Sequence, residues 1–235
     1  MALSAADRLK MLEPPKGKVR VVIDTDTFNE IDDQFAIVQM MLSRDQLDVE
    51  AIYAAPFFNK RSSGPGDGME RSYDEILELL SRLDIPAEGL VHRGVTEYVG
   101  PTKQARPAPA VDDLIARART GTIDKPLYVI AIGAISNVAS ALIKAPDIAD
   151  KMVVVWLGGH ALEWPHAIEF NLKQDVGGAQ VLFDSGVPLV LVPCMGVSSH
   201  LHSTVPEIEK YVEVHGEIGK FLAMRYKGYA DDHVG

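Results

Sequence analysis

Residues 19–33 read VRVVIDTDTFNEIDD, an apolar run that ends directly in a dense group of acidic residues. The first five residues form a short continuous β-branched segment, which predicts a strand buried on both faces. After a polar turn, apolar residues recur at steps of three and four, the spacing of one face of an amphipathic helix. These positions are Ile31, Phe35, Val38 and Leu42. A buried strand followed at once by a helix is the repeating unit of α/β proteins, so this stretch decides the fold class.

Alternation of strand and helix continues along the rest of the chain. Further strands are predicted at 49–55, 90–91, 127–132, 152–157 and 188–192, and further helices at 69–83, 136–144, 177–183 and 206–226. Stretches 57–68 and 93–109 are rich in glycine and proline and are interpreted as long loops. The pattern predicts an α/β fold with a mostly parallel open sheet, helices on both faces and a Rossmann-like core. In such sheets ligands bind outside the carboxyl ends of the strands.

The chain has 235 residues, of which 47% are hydrophobic and 24% charged, an ordinary globular composition. We expect a polar lead-in over residues 1–18 and a single domain over residues 19–235. The net charge of -10 disfavours a nucleic acid partner, because duplex nucleic acid is a polyanion that binds basic surfaces. The sequence shows no signal peptide and no apolar run of about 20 residues that would span a membrane. Its single cysteine, Cys194, is interpreted as a small buried hydrophobic residue. These features predict a soluble cytoplasmic protein with no membrane partner.

Five carboxylates lie within ten residues directly after the first strand: Asp24, Asp26, Glu30, Asp32 and Asp33. Like-charged side chains this close repel one another, and a bound cation relieves the repulsion. Ligands that are all oxygen suit Ca²⁺ or Mg²⁺. The alternative interpretation is that Asp32 and Asp33 only favour the helix N-terminus while Asp24 caps a turn. Because that alternative leaves the Asp24 and Asp26 pair unexplained, we expect a divalent metal at this strand end.

Two further segments follow later strands of the predicted sheet. Gly158-Gly159-His160 comes after strand 152–157 and precedes Glu169-Phe170-Asn171, where Glu and Asn side chains suit vicinal hydroxyls. Residues 132–137, IGAISN, end the strand at 127–132, where a backbone carbonyl could serve as a neutral metal ligand. A turn followed by a helix cap explains IGAISN equally well. Asp175 is interpreted as a helix N-cap.

Together these segments resemble the nucleoside hydrolase family of the inosine-uridine preferring type. That family opens with D-x-D-P-G-x-D-D, which residues 24–26 and 32–33 match at its two ends. Its G-P-L-T-N-I-A looks like GAISNVA at 133–139. Its M-G-G followed by A-E-F-N looks like LGG at 157–159 followed by IEFN at 168–171. Order and spacing agree from about residue 19 to residue 200.

The resemblance implies hydrolysis of the N-glycosidic bond of a ribonucleoside, giving ribose and a free base, in purine or pyrimidine salvage. It implies a tightly held Ca²⁺ whose ligands include Asp26, Asp33 and the carbonyl of Ile132. Asp32 would be the general base that takes a proton from the water held by the metal, and Asp24 would orient that water or the ligands.

The resemblance also implies ribose-binding residues, namely Glu169, Asn171 and Asn59. The transition state should resemble an oxocarbenium ion, as in glycoside hydrolysis generally. A small-molecule nucleoside is therefore the expected partner, and the family favours a dimer or tetramer.

The sequence departs from the family pattern in the first loop. Thr27–Ile31 replaces P-G-x and makes the loop two residues longer, which changes the substrate or adds Asn29 and Glu30 to the site. Asn59 lies in PFFN at 56–59 rather than in the family's usual G-N.

The C-terminal part departs as well. The family supplies a last aspartate ligand, and often a histidine acid, from a later helix. Asp231 and Asp232 come too early to fill that position, so we expect a domain truncated at its C-terminus. His160, His166, His200 and His202 are interpreted as structural, and none is assigned as the acid for the leaving base.

Two other functions fit parts of the pattern. A haloacid dehalogenase-type phosphatase would use Asp24 as nucleophile and Asp26 as acid/base with magnesium, but it leaves Asp32-Asp33 and residues 169–171 unexplained. A non-catalytic nucleoside- or ribose-binding relic of the hydrolase fold would account for the absent C-terminal ligand.

Overall fold

A computed structural model describes the protein over residues 3–233, with side chains described through residue 229. Within this range six parallel strands form one sheet: β1 (Val19–Thr25), β2 (Leu47–Ala54), β3 (Val91–Arg93), β4 (Leu127–Ala131), β5 (Met152–Leu157) and β6 (Leu189–Val192). Their spatial order is β3-β2-β1-β4-β5-β6. From the central pair β1 and β4, strands β2 and β3 are therefore placed toward one edge of the sheet, and β5 and β6 toward the other. The parallel open sheet confirms the predicted fold class.

Nine α-helices lie within the described residues, one before the first strand and the others between or after the strands: α1 (Ala5–Met11), α2 (Asp32–Leu42), α3 (Pro65–Arg82), α4 (Pro109–Ala118), α5 (Ser136–Lys144), α6 (Phe170–Gln174), α7 (Val176–Asp184), α8 (Val205–Tyr211) and α9 (Gly216–His233). The predicted lead-in thus contains α1, which the Ser4 side chain caps by accepting a hydrogen bond from the Asp7 amide. Among residues 3–233, no helix has the length and apolar character that crossing a bilayer requires.

Helices cover both faces of the sheet, as the sequence predicts. Along β1, Val22 packs on one face and Ile23 on the other. Helices α4, α5 and α7 cover the first face, and α2, α3 and α9 cover the second. Each strand of the centre is therefore buried on both sides, which is why these strands read as continuous apolar runs.

The inward face of α2 differs from the predicted face of Ile31, Phe35, Val38 and Leu42. The buried residues are Asp33, Gln34, Ile37, Val38 and Met41, whereas Leu42 is 68% exposed. The helix is turned because Asp33 in its first turn accepts a hydrogen bond from the Thr25 hydroxyl of β1. That contact brings polar residues inward at the start of α2 and takes Leu42 to the surface.

Three other predictions needed correction. Helix α4 lies in a stretch to which the sequence analysis assigned no element. Helix α3 begins at Pro65, so the loop predicted over 57–68 is shorter than expected. The single helix predicted over 206–226 is two helices, α8 and α9, with a break at 212–215. Gly216 begins α9 at φ +67°, a left-handed conformation that a continuous helix excludes.

Candidate functional site

The candidate site lies where β1 and β4 end side by side. Asp24 of β1 pairs with Ala131 of β4, so the chains that leave both strands enter the same crevice. The strand order reverses direction at this point, which is where ligands bind in open parallel sheets. A cavity of about 310 Å³ occupies the crevice. Its walls include six of the eight residues predicted for the site: Asp26, Asp32, Asp33, Ile132, Glu169 and Asn171.

Asp26 and Asp33 are the buried acidic wall of the cavity, each with 2% or less of its surface exposed. Burial raises the pKa of both carboxyls well above their usual range, and the negative charges of acidic neighbours raise each pKa further. Asn29 donates a hydrogen bond to Asp26, and Thr25 donates one to Asp33. Two buried carboxylates that repel one another form a site at which positive charge is strongly favoured.

Asp32 occupies the first position of α2 at the mouth of the cavity, where the residue is exposed. Desolvation by the surrounding protein raises the pKa of its carboxyl, while backbone N–H groups at the start of the helix oppose the shift. Its charge in turn raises the pKa of Asp26 and Asp33. Asp32 and Glu30 are therefore the members of the acidic group with access to solvent.

Asp24 does not line the cavity. It is fully buried, and its Oδ1 accepts a hydrogen bond of 2.7 Å from Asn137 of α5, while Oδ2 has no partner among the described side chains of residues 3–229. Burial raises the pKa of Asp24 to about 7, opposed by the hydrogen bond from Asn137. Asp24 thus lies behind the cavity wall, and this position excludes it as the nucleophile of a phosphatase.

Glu169 and Asn171 line the same cavity as the acidic residues. Glu169 caps α6 by accepting hydrogen bonds of 2.9 Å from the amides of Asn171 and Leu172, and it accepts another of 2.9 Å from the amide of Gly159. Asn171 donates through Nδ2 to the carbonyls of Ile132 at 2.9 Å and Leu157 at 3.1 Å. The predicted carbonyl ligand and the predicted ribose-binding amide are therefore direct neighbours.

Asn59 is the second predicted residue that is absent from the cavity wall. Its amide instead contacts Asn29, which is 3% exposed and lines the cavity beside Asp26. Glu30 from the same long loop also lines the cavity. The extra residues of the loop therefore belong to the site, one of the two outcomes that the sequence left open.

Sequence reasoning missed Cys194 and Ser198 on the cavity wall, because both follow β6 in a stretch without a recognisable motif. Burial raises the pKa of the Cys194 thiol, so it carries little thiolate and is a poor nucleophile. His160 also lines the cavity, but its ring nitrogens are engaged by the Ile168 carbonyl at 2.9 Å and the Met195 amide at 3.3 Å. These contacts give His160 the structural role expected of it.

The donor set fits a hard cation in kind, because it consists of carboxylate and carbonyl oxygens. Asp26, Asp33 and the Ile132 carbonyl face one cavity, and the mutual repulsion of the two carboxylates would be relieved by a divalent ion. Within the described residues, no three His, Cys, Asp or Glu side chains are grouped as a complete cage. The side chains of Asp231 and Asp232 lie outside the described part. Water and sugar hydroxyls would have to complete the coordination.

Comparison with known proteins agrees with this geometry. The chain matches the family model for inosine-uridine preferring nucleoside hydrolase over residues 21–234. It is 26% identical over 215 residues to the pyrimidine-specific ribonucleoside hydrolase RihA of Escherichia coli O9:H4 (strain HS), covering 82% of this chain and 66% of that relative. It thus spans slightly less than two thirds of that relative's length.

Two solved structures share the fold. A purine-preferring ribonucleoside hydrolase from Gardnerella vaginalis superposes with a TM-score of 0.69 at 24% identity, covering 89% of this chain and 71% of that one. The plant nucleoside hydrolase PpNRh1 superposes with a TM-score of 0.68 at 25% identity, covering 93% and 72%. Since the family model matches nearly the whole chain, the protein belongs to the inosine-uridine preferring nucleoside hydrolase family.

Proposed function

We propose that the protein hydrolyses the N-glycosidic bond of a ribonucleoside to ribose and a free base. The observation that carries the proposal is one cavity lined both by Asp26, Asp32 and Asp33 and by Glu169 and Asn171. The three aspartates suit the positive charge that develops on the sugar, and Glu169 and Asn171 suit hydroxyl groups. The products would feed nucleoside salvage, and assembly as a dimer or tetramer stays a prediction.

Two other groups on the cavity wall, the side chains of Glu169 and Asn171, have hydrogen-bonding capacity left for ribose. A carboxylate offers about four lone-pair sites, and Glu169 uses three of them on backbone amides. Asn171 uses both Nδ2 hydrogens on backbone carbonyls, which leaves its Oδ1 as the free group. Both residues would therefore accept hydrogen bonds, and vicinal hydroxyls of a sugar are the matching donors.

Asp32 is the proposed general base. Among the side chains of residues 3–229, none donates a hydrogen bond to it, whereas Asn29 donates to Asp26 and Thr25 donates to Asp33. Its carboxylate at the mouth can take a proton from the attacking water as the water oxygen bonds to the anomeric carbon. The bond from that carbon to the base nitrogen breaks, and its electron pair leaves with the base. The raised pKa of Asp32 makes its carboxylate a stronger proton acceptor than an ordinary aspartate.

Ca²⁺ is the proposed cofactor, held by Asp26, Asp33 and the Ile132 carbonyl. When bound, it would orient and acidify water and sugar hydroxyls. The support for this role is the oxygen-only donor set and the mutual repulsion of the two buried carboxylates. Asp24 would act from behind the wall, by holding Asn137 and the strand ends in place.

The test is release of ribose and free base from a panel of purine and pyrimidine nucleosides, with calcium and with chelator. Asp32→Asn should lower kcat about a hundredfold or more while the protein still binds calcium. The matched control is Asp45→Asn, an exposed aspartate between α2 and β2 that should leave kcat unchanged. Full activity of Asp32→Asn would refute its role as the general base.

A non-catalytic binding protein is the second candidate, and the incomplete group of acidic ligands in the described residues favours it. Nucleoside binding without any release of base, in calcium and in chelator alike, would replace the hydrolase proposal by this one.

A further inference from the structure

The long first loop places one buried amide between the acidic wall and the loop after β2. Asn29 lies in Thr27–Ile31, the segment that is two residues longer than the family motif. Its side chain is 3% exposed, and its backbone N–H donates to the Asp26 carbonyl at 2.7 Å. The turn thus fixes Asn29 directly beside the Asp26 carboxylate.

Three hydrogen bonds run in one direction through this amide. The Arg61 backbone N–H donates to Asn59 Oδ1 at 2.8 Å, Asn59 Nδ2 donates to Asn29 Oδ1 at 2.6 Å, and Asn29 Nδ2 donates to Asp26 Oδ2 at 3.1 Å. A backbone N–H can only donate, so it fixes the orientation of the first amide and, through it, of the second. The series can therefore end only with a donor pointing at the carboxylate of Asp26.

We propose that Asn29 is a positioning residue for Asp26 and that Asn59 acts through Asn29 instead of binding ribose. This inference rests on the proposed function, since it concerns the carboxylate assigned to the metal. Asn29 holds Asp26 Oδ2 in place, and Oδ1 takes no part in this series of hydrogen bonds. The loop at 57–62 is thereby coupled to the acidic wall without lining the cavity at Asn59.

The experiment compares Asn29→Ala, Asn59→Ala and the double variant, with Lys60→Ala as the matched control on the same loop. Lys60 is exposed and lies outside the series of hydrogen bonds. Calcium affinity is measured by calorimetric titration, alongside kcat, KM and the urea midpoint. Each single asparagine variant should weaken calcium binding about tenfold, the lower end for loss of a residue that orients a metal ligand. The double variant should be no weaker than Asn29→Ala, because both changes break one series.

Three results would overturn the inference. Asn59→Ala could raise KM with calcium affinity unchanged, which would return Asn59 to direct ribose binding. The variants could lower only the urea midpoint, which would show that the three hydrogen bonds stabilise the loop and do not position Asp26. The two effects on calcium affinity could multiply in the double variant, which would make the residues independent. A wild type that binds calcium without turnover refutes the proposed function alone, and one that binds no calcium refutes this inference as well.

Discussion

Replacement of Asp175 by alanine should destabilise the protein more than most single substitutions. The carboxylate of Asp175 is 1% exposed and accepts four hydrogen bonds: from Ser136 Oγ at 2.6 Å, and from the amides of Val99 at 2.8 Å, Gly100 at 3.0 Å and Gly178 at 2.9 Å. It therefore joins the loop after β3 to the first turns of α5 and α7. A buried donor left without its acceptor costs about 1–3 kcal/mol. Water entering the vacated space recovers part of this cost, so about 1 kcal/mol for each donor gives about 4 kcal/mol.

Urea denaturation followed by tryptophan fluorescence measures this loss, which is a large part of the roughly 5–15 kcal/mol typical of a domain. The control is Asp184→Ala at the other end of α7, where an exposed carboxylate lies 3.7 Å from the Lys103 ammonium. That change should cost less than about 0.5 kcal/mol, as exposed pairs generally do. A loss below about 1.5 kcal/mol for Asp175→Ala, with an unchanged urea slope, would refute the additive treatment of the four donors.

Three further predictions concern other parts of the molecule. Gly177→Ala should destabilise α7 by about 2 kcal/mol or more, because its Cβ would lie 1.8 Å from a facing backbone carbonyl oxygen. A Cβ at Gly228 in α9 would meet nothing within 4 Å, so Gly228→Ala should instead stabilise the protein by up to about 1 kcal/mol. Equal effects of Gly177→Ala and Gly228→Ala in urea denaturation would contradict the packing argument. Arg225→Ala leaves Glu75, which is 4% exposed, without its 2.6 Å ion pair. The free energy of unfolding should fall by about 2 kcal/mol, which is less than for a fully buried pair because the arginine is one third exposed. Faster tryptic cleavage within α9 would show that the helix is held less firmly. Because burial raises the pKa of Cys194, the pH at which its alkylation rate reaches half its maximum should be higher than for a free cysteine in a peptide, and an equal or lower midpoint would contradict the burial argument.

The sequence predicted best the elements whose signal is local. The buried strand at 152–157 and the helix at 136–144 match β5 and α5 at both ends, since a continuous apolar run and a helical period need no tertiary information. Helix α4 carried a readable signal, with Pro109 in its first turn and buried residues at Val111, Leu114 and Ile115. The prolines and glycines of residues 93–109 favour a loop, and for that reason no helix was predicted there.

The location of the site was predictable, but the contacts within it were not. A strand that ends in acidic residues marks a site because parallel strands deliver their carboxyl ends to one edge. Period-two alternation gives Asp24 and Asp26 the same face and cannot separate them. The separation arises because β1 ends at Thr25, so that Asp24 stays in the sheet against Asn137 while Asp26 turns into the cavity. This difference depends on α5, which lies more than a hundred residues away.

The acidic wall also shows why local rules fail at this point of the molecule. An Asp side chain in the first turn of a helix is favourable near the surface, which is the interpretation the sequence allowed for Asp32 and Asp33. Asp33 is instead buried beside Asp26, with 2% of its surface exposed, and there desolvation and like charge both oppose its ionised form. Folding alone gives no reason to bury two such groups together, and a fold selected only for stability would place apolar residues there. The proposed Ca²⁺ would offset this cost, so the burial of both carboxylates supports that proposal. The first loop agrees with this, because Asn29 donates a hydrogen bond to Asp26 but brings no cation to neutralise it.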